Sequence, residues 1–354
     1  MRNAKLAVLF VCRALGLFWL ARRVTSKRLR ILCYHGFELD DETSFRDKLF
    51  ITGRRFERRL ATIRRKNYHV LGLDEAVKGL YQGDLPADCV VITADDGFHS
   101  FSRIAAPLLR RFEFPATVYV TTYHVQHASP VFNLVVQYMF WKRRKSSVDL
   151  EALLRKVVGD VNVPSPVNTE SATSACIEFG RRLGSESERQ ELCRLLGQQL
   201  DVPYDQIVNS RILTLMNAED FATLPGSRID VQLHTHRHVF PSDDRAAADR
   251  EISDNRAALL TLSPGIKRHF CYPSGIWHRC QWEWLDEMGI RSSTTCVPGL
   301  NDGNTPRHAL RRFLDGDNIH QLEFEAALSG FSEVFRIAKQ VVAPDPPNRI
   351  ALSP

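Results

Sequence analysis

The sequence predicts a parallel α/β sheet or barrel covered by helices, and three observations predict it. Short apolar, β-type runs alternate with helical patterns from about residue 30 onward. The run 89–93 is apolar throughout and stops at Asp-Asp-Gly, as a buried strand entering a turn does. A long helical segment, 243–262, separates two of the later runs.

The elements follow in order. Residues 30–34 (Arg-Ile-Leu-Cys-Tyr) read as a strand, and Phe56, Leu60 and Ile63 recur at helical spacing on a basic segment. Asp74 is placed to cap a short helix, 75–80, that fades at Gly83. A helix is expected at 102–112 and a strand at 116–121. Further strands are expected at 229–233, 269–272, 291–295 and 310–313. Between about 123 and 218 the strand signal fades. That stretch is helical and polar, carries the basic cluster Lys142-Arg143-Arg144-Lys145, and holds a Ser/Thr/Pro loop near 163–174. It reads as a helical insertion. The division expected is an apolar/basic N-terminal helix (1–27), a main domain (28–315), and a C-terminal helix with a loose tail (316–354) that holds four prolines after residue 342.

A hydrophobic fraction of 44% and a charged fraction of 25% exclude a disordered chain, a collagen-like fibre and a polytopic membrane protein. The net charge of +6 is mild and gives no reason to expect nucleic acid. The eight cysteines are scattered without a CxxC, which fits small buried thiols in a reducing compartment. Residues 6–21 are apolar but interrupted by Arg13 and followed by a basic run, with no small-residue cleavage site. Three readings stay open for them: a helix packed on the domain, an interfacial anchor over anionic lipid, or a short signal anchor. The expected location is cytoplasmic or associated with the cytoplasmic membrane.

There is no GxGxxG, P-loop or GxSxG, so nucleotide binding and serine hydrolysis have little support. Three constellations stand out instead. In Thr93-Ala94-Asp95-Asp96-Gly97, two adjacent carboxylates end an apolar strand, and their mutual repulsion calls for something cationic. In His234-Thr235-His236-Arg237-His238, three histidines follow a strand, and His234 and His238 are spaced to converge on one ion. His236 is a third ligand, a supporting residue or a bystander. In Phe270-Cys271-Tyr272-Pro273-Ser274-Gly275, proline and glycine fix a turn able to present a backbone N–H. Each constellation ends a strand, where parallel α/β folds place their sites. One carboxylate with two histidines makes an open metal site, leaving the second carboxylate free as a base.

These motifs, in this order, resemble the polysaccharide deacetylase family (carbohydrate esterase family 4, the NodB-homology domain). Supporting matches are Leu32-Cys33-Tyr34-His35, Phe114-Pro115-Ala116-Thr117-Val118, Gly299-Leu300-Asn301 and Arg311-Arg312-Phe313. The resemblance spans roughly residues 28–315 outside the insertion. It implies a distorted (β/α) barrel with fewer than eight regular strands, and metal-dependent hydrolysis of an N-acetyl group on a carbohydrate. By the same resemblance Asp96, His234 and His238 hold a divalent ion, zinc first, with cobalt, nickel or ferrous iron as alternatives. Asp95 is the general base, and the backbone N–H of Tyr272 serves the oxyanion. The family's late Leu-x-His has no good copy, Asn318-Ile319-His320 being a poor match, so His35 is the candidate general acid. Arg312 is the candidate orienter of Asp95, since no arginine cleanly precedes the third motif. Pro273 and Trp277 are candidates to touch substrate, with Trp282 and Trp284 as further stacking surfaces. The implied partner is an acetylated glycan, as in exopolysaccharide biosynthesis. The alternatives are an O-acetyl esterase or deacylase on another glycan, or a carbohydrate-binding protein on a decayed barrel; retention of all four metal-site and base residues argues against decay.

Overall fold

The computed structural model describes residues 2–143, 169–224, 226 and 228–342. Strands that are apolar on both faces need cover on both faces, and a parallel sheet wrapped in helices supplies it. In chain order the strands are β1 (Arg30–Tyr34), β2 (Gly36–Phe37), β3 (Phe50–Ile51), β4 (His69–Val70), β5 (Cys89–Ala94), β6 (Ala116–Val120), β7 (Ile229–Leu233), β8 (His269–Cys271), β9 (Ser292–Thr294) and β10 (Phe313–Leu314). Eight of them form one sheet in the order β10-β1-β5-β6-β7-β8-β9, with β4 lying along the first half of β5. Every pairing in it is parallel. A bridge between Thr294 and Leu310, just ahead of β10, brings the two ends of the sheet together. The result is a curled, distorted (β/α) barrel. β2 and β3 form a small separate ribbon.

Every residue of β1, β5 and β6 is buried. The helix Gly53–Arg65 presents Phe56, Leu60 and Ile63 to this core at the expected spacing. Arg59 lies on the same buried stripe. It forms a two-pronged pair with Asp315 (2.9 and 3.1 Å) and also donates to Gln321 Oε1 and the Ile319 carbonyl. The helix is thereby tied to the loop that leaves β10.

Several elements differ from the sequence reading. Gly72, not Asp74, caps the helix Leu73–Gln82; Asp74 lies in its first turn, where it pairs with Arg268, His269 and Arg291. The helix expected at 102–112 opens with a π turn, Phe101–Ala105, before Ala106–Arg111, with Pro107 at the junction. A proline has no N–H to give the preceding turn, so the hydrogen-bond pattern changes there. The last expected strand shortens to β10, leaving Leu310 as an isolated bridge. The N-terminal helix is two helices, Arg2–Ala14 and Leu17–Val24, bent by 74° at Gly16, which takes a left-handed φ of 76°. No single helix among the described residues is long and apolar enough to cross a membrane. The cysteines are free thiols, Cys33, Cys89, Cys176, Cys193 and Cys271 being buried.

Between β6 and β7 the described chain is helical. The helices Phe132–Lys142, Thr169–Arg182 and Glu186–Leu200 bury their own apolar cluster, which leans on Phe50 and Phe98 of the barrel side. Lys142 and Arg143 of the basic cluster pair with Asp41 and Asp201; Arg144, Lys145 and 163–168 of the expected Ser/Thr/Pro loop lie outside the described residues, and 169–174 of that loop are the first turns of the helix Thr169–Arg182. The return segment joins the barrel beside the first motif: His99 N donates to Thr214 O (2.8 Å), and Met216 N donates to Gly97 O (2.8 Å).

Arg59→Ala should leave the buried Asp315 carboxylate without its counter-charge, at a cost of about 3–5 kcal/mol. Urea unfolding at neutral pH checks this. The double variant Arg59→Leu/Asp315→Asn is expected to recover much of the loss, because it removes both charges.

Candidate metal centre and its carboxylate pair

The first motif is a strand end forced to turn sharply. Asp95 N still donates to Tyr34 O (2.9 Å), so Asp95 continues the β1–β5 ladder. Asp96 then takes φ 67° and Gly97 φ 81°. A Cβ on Gly97 would meet the Val120 side chain at 2.9 Å, so glycine is required by space as well as by conformation. This turn sends the two carboxylates in different directions.

Asp95 points into the barrel wall and is 2% exposed. Arg312 clamps it with two parallel hydrogen bonds, Nη1 to Oδ1 and Nη2 to Oδ2, both 2.7 Å. The Arg312 side chain is itself fully buried and is held by its Nε bond to Thr295 O (2.9 Å). Cys33 and Cys271 present their Sγ atoms to Asp95 Oδ2 at 3.5 and 3.3 Å. Burial works against the charge on Asp95. The adjacent guanidinium outweighs it and holds the carboxyl far below the usual range, with His35 and His234 adding to the effect. His35 Nε2 lies 3.8 Å from Asp95 Oδ2 and is partly exposed.

Asp96 turns toward the second motif. Its Oδ1 lies 3.2 Å from His234 Nε2 and 3.3 Å from His238 Nε2. One ligand atom from each of the three residues lies within 4.8 Å of the others. Burial opposes the Asp96 charge, but the hydrogen bonds from His234 and His238 hold its carboxyl well below the ordinary value. The tautomer of His234 is decided by its other nitrogen. Nδ1 meets the Cys271 carbonyl at 2.8 Å, and a carbonyl only accepts, so Nδ1 carries the proton and Nε2 faces Asp96 with its lone pair when neutral. A lone pair facing a carboxylate needs a cation between them, either a proton or a metal ion. Tetrahedral bonds of about 2.0–2.1 Å give ligand-to-ligand edges of about 3.3–3.4 Å, so the residues present fit a zinc-like ion. Two further groupings with metal-type ligands, Cys33/His35/Asp95 and Asp95/His234/Cys271, both draw on Asp95, whose oxygens Arg312 already engages.

The structure thus brings Asp95, Asp96, His35, His234, His238 and Arg312 to one barrel mouth. The Tyr272 N–H has a backbone partner just past the end of β8. That group donates to Thr294 O at 3.3 Å because the β8–β9 ladder runs one residue past Cys271, and the Tyr272 hydroxyl donates to His308 O. Pro273 is buried at the start of a short 3-10 turn. Trp277, half-buried, stacks on Trp282 (5.5 Å) and packs against Tyr272. His236 stays outside the ligand cluster: it is buried, with Nδ1 2.8 Å from Thr122 Oγ1. His320 caps the helix Gln321–Leu328. His127 stacks on Tyr123, and His124 bonds Ser129; burial brings His124 down to about 4.

Sequence reasoning missed the support beneath the histidine loop. Asn255, fully buried on the helix Arg245–Leu262, accepts from His234 N (3.0 Å) and donates to Val120 O and Thr122 Oγ1. One turn earlier, buried Glu251 accepts from Arg237 N, and its carbonyl accepts from His236 N. The signal was available: Glu251 and Asn255 share a helical face with Ala248, Ile252 and Leu259, and a polar residue on a buried face needs a partner. Asp96, Thr235, His238 and Ser274 all adopt positive φ, so local backbone strain gathers in the three motif loops.

No protein-family model matches the chain, and no curated protein matches it by sequence. Solved structures do match its fold. The deacetylase PplD of Streptococcus pyogenes, described in complex with acetate, superposes with a TM-score of 0.57 at 15% identity, over 85% of this chain and 98% of that one. IcaB of Ammonifex degensii gives 0.53 at 17% identity, over 85% and 97%. A de-N-acetylase of Aggregatibacter actinomycetemcomitans gives 0.53 at 11% identity, over 85% and 99%. At these identities the likeness establishes the fold, which is that of the polysaccharide deacetylases.

The Asp95–Arg312 pair has a pH signature. A carboxylate held below its unfolded value of about 3.9 contributes stability that is complete above that pH and is lost below it. Arg312→Met would leave Asp95 buried and uncompensated, raising its carboxyl above the unfolded value and costing about 3–5 kcal/mol at neutral pH. The stability gap between the two proteins should therefore narrow as pH falls from 7 toward 4.5. Urea unfolding at both pH values measures it, and a constant gap would contradict the pairing.

Proposed function

We propose that this protein is a metal-dependent hydrolase that removes N-acetyl groups from a carbohydrate. The observation that carries the reading is the separation of roles within one pair of adjacent carboxylates. Asp96 meets two imidazoles at 3.2–3.3 Å, while Asp95, next in the chain, is committed to Arg312. A binding protein has no use for that division. The fold shared with PplD, IcaB and the Aggregatibacter de-N-acetylase, together with the motif resemblance, supports acetylated glycans as the substrate class.

In this reading Asp96, His234 and His238 hold the ion, with zinc the first choice. Bound there, a divalent ion polarises the acetyl carbonyl and acidifies a water molecule. Asp95, ionised throughout the working range, orients the attacking water and accepts its proton as the water oxygen bonds to the carbonyl carbon. Arg312 fixes the direction of that carboxylate. His35, beside Asp95 at the mouth, returns a proton to the amine nitrogen as the C–N bond breaks, so that acetate and a free amine leave. The motif resemblance assigns the oxyanion to the backbone N–H of Tyr272. The exposed Ser274, with φ 56° in the 3-10 turn after Pro273, which has no N–H, offers a second backbone donor at the same strand end.

Purified protein should bind one equivalent of zinc and release acetate from N-acetylglucosamine oligomers, and chelation should abolish the release reversibly. Asp95→Asn should keep the metal and lose turnover. His35→Gln should keep the metal and lose about 10²–10⁴ in kcat. Zinc retained by Asp96→Ala/His234→Ala, or acetate release that survives chelation, would defeat the proposal.

A further inference from the structure

The two N-terminal helices use only a narrow stripe to pack on the barrel. Leu9 and Phe18 are buried against Leu322 and Ala326 of the helix Gln321–Leu328, and Cys12 joins them. Outward, Val8 and Val11 on Arg2–Ala14 and Leu15 in the turn just past it, bonded back to Val11 O, repeat at the i, i+3, i+7 spacing, and Leu17, Leu20 and Val24 repeat it on Leu17–Val24. These six side chains are exposed, Leu15 at 71% and Val24 at 67%, and Phe10 (66%) and Trp19 (62%) extend the face. The patch continues onto the helix Phe331–Val342. Phe331 packs on Phe18 (ring centroids 5.0 Å apart), and Phe335, 63% exposed, stacks on Phe331. Contiguous exposed apolar surface of this kind marks a docking face.

Charge says what docks there. From Met1 to Phe37 the chain has eight lysines and arginines and no acidic residue. Arg23 and Lys27 are exposed beside the patch and make no salt bridge among the described residues, Arg23 lying over the Trp19 ring at 5.1 Å. A second copy docking through the same face would set these cations against their own kind. An anionic lipid surface satisfies both the apolar stripe and the cations. The helices are placed to lie on a bilayer rather than to span it. They bend by 74° at Gly16, and Lys5 and Arg13 are ion-paired to Glu323 and Glu325 of the body.

We propose that the outward face of the two N-terminal helices, with Phe335, is an interfacial docking surface for anionic membrane lipid. It runs along the flank of the barrel. Arg2 at one end donates to Asn318 O, beyond the C-terminal end of β10, and Arg22 at the other pairs with Asp88, just ahead of β5. Docking therefore leaves the barrel mouth uncovered, open along the membrane plane.

Flotation of the full-length protein with phosphatidylcholine vesicles, with and without phosphatidylglycerol, tests this. Binding is expected only with the anionic lipid, and it should weaken as salt rises. Leu15→Asp/Leu20→Asp should reduce partitioning at least about tenfold. Arg23→Glu/Lys27→Glu should also reduce it at least about tenfold, since each cation near an anionic surface is worth roughly fivefold. Both variants change exposed side chains, and an unchanged circular dichroism spectrum and zinc stoichiometry would show that they fold. Absence of anionic-vesicle binding, undiminished binding by either variant, or a dimer in solution that Leu15→Asp/Leu20→Asp dissolves would overturn the proposal. The last result would assign the face to a second copy of the chain.

Discussion

Two ionised carboxylates cannot sit side by side in a dry strand end unless each has its own positive partner. Asp95 and Asp96 are in that position, and the rest of the site follows from how the chain meets the demand. The left-handed turn at Asp96 and Gly97 splits them. Asp95 receives a permanent cation, the Arg312 guanidinium, which holds it ionised and fixed in direction. Asp96 receives two imidazoles, groups that exchange a proton for a metal ion without leaving their places. The same electrostatic constraint thus produces a positioned carboxylate and a vacatable cation site one residue apart.

Holding that split in place takes more of the molecule than the motifs. Thr121 N donates to Asp96 O and Met216 N to Gly97 O, so β6 and the return of the helical insertion both grip the turn. Asn255 joins the ends of β6 and β7 through three hydrogen bonds, fixing the backbone of His234 while Cys271 O fixes its ring. The insertion is therefore a structural wall of the first motif as well as a helical excursion. Its apolar cluster reaches Phe98, three residues beyond Asp95.

The parts of this arrangement that were legible in the sequence are those carried by local pattern. The strand-end positions of the two carboxylates, the paired histidines and the Pro-Gly turn follow from short apolar runs meeting turn residues. Arg312 was legible only as the cation that Asp95 lacked nearby. The backbone partner of the Tyr272 amide was not legible, because whether a ladder bond continues one residue past a strand depends on the neighbouring strand's register. Tyr272 finds Thr294 of β9, which no local pattern reveals. The break at Gly16 is a similar case: one continuous apolar stretch divides because the second helix must turn to lay Phe18 against Phe331. β4 pairs through only two residues and leaves no periodic trace.

The source of the Asp95 counter-charge ties the ionisation of that carboxylate to closure of the barrel. Arg312 lies between Leu310, which bridges to Thr294 of β9, and Phe313, which pairs with Leu32 of β1. Its backbone N–H and its Nε bond the carbonyls of Val297 and Thr295 on one side of this seam. Its two Nη atoms reach across to Asp95 on the other, and Nη1 also meets the Thr93 hydroxyl at 3.3 Å. The guanidinium is in this sense a rivet through the joint between the first and last strands. An arginine supplied from β8 would neutralise Asp95 without spanning the joint. Here Cys271 stands on β8 instead, its sulfur 3.2 Å from Arg312 Nη2, filling dry space beside the pair. Opening the seam would withdraw the cation and leave a buried carboxylate whose charge nothing offsets. The closed barrel and the ionised Asp95 carboxylate are therefore stabilised by the same contact, and neither is complete without the other.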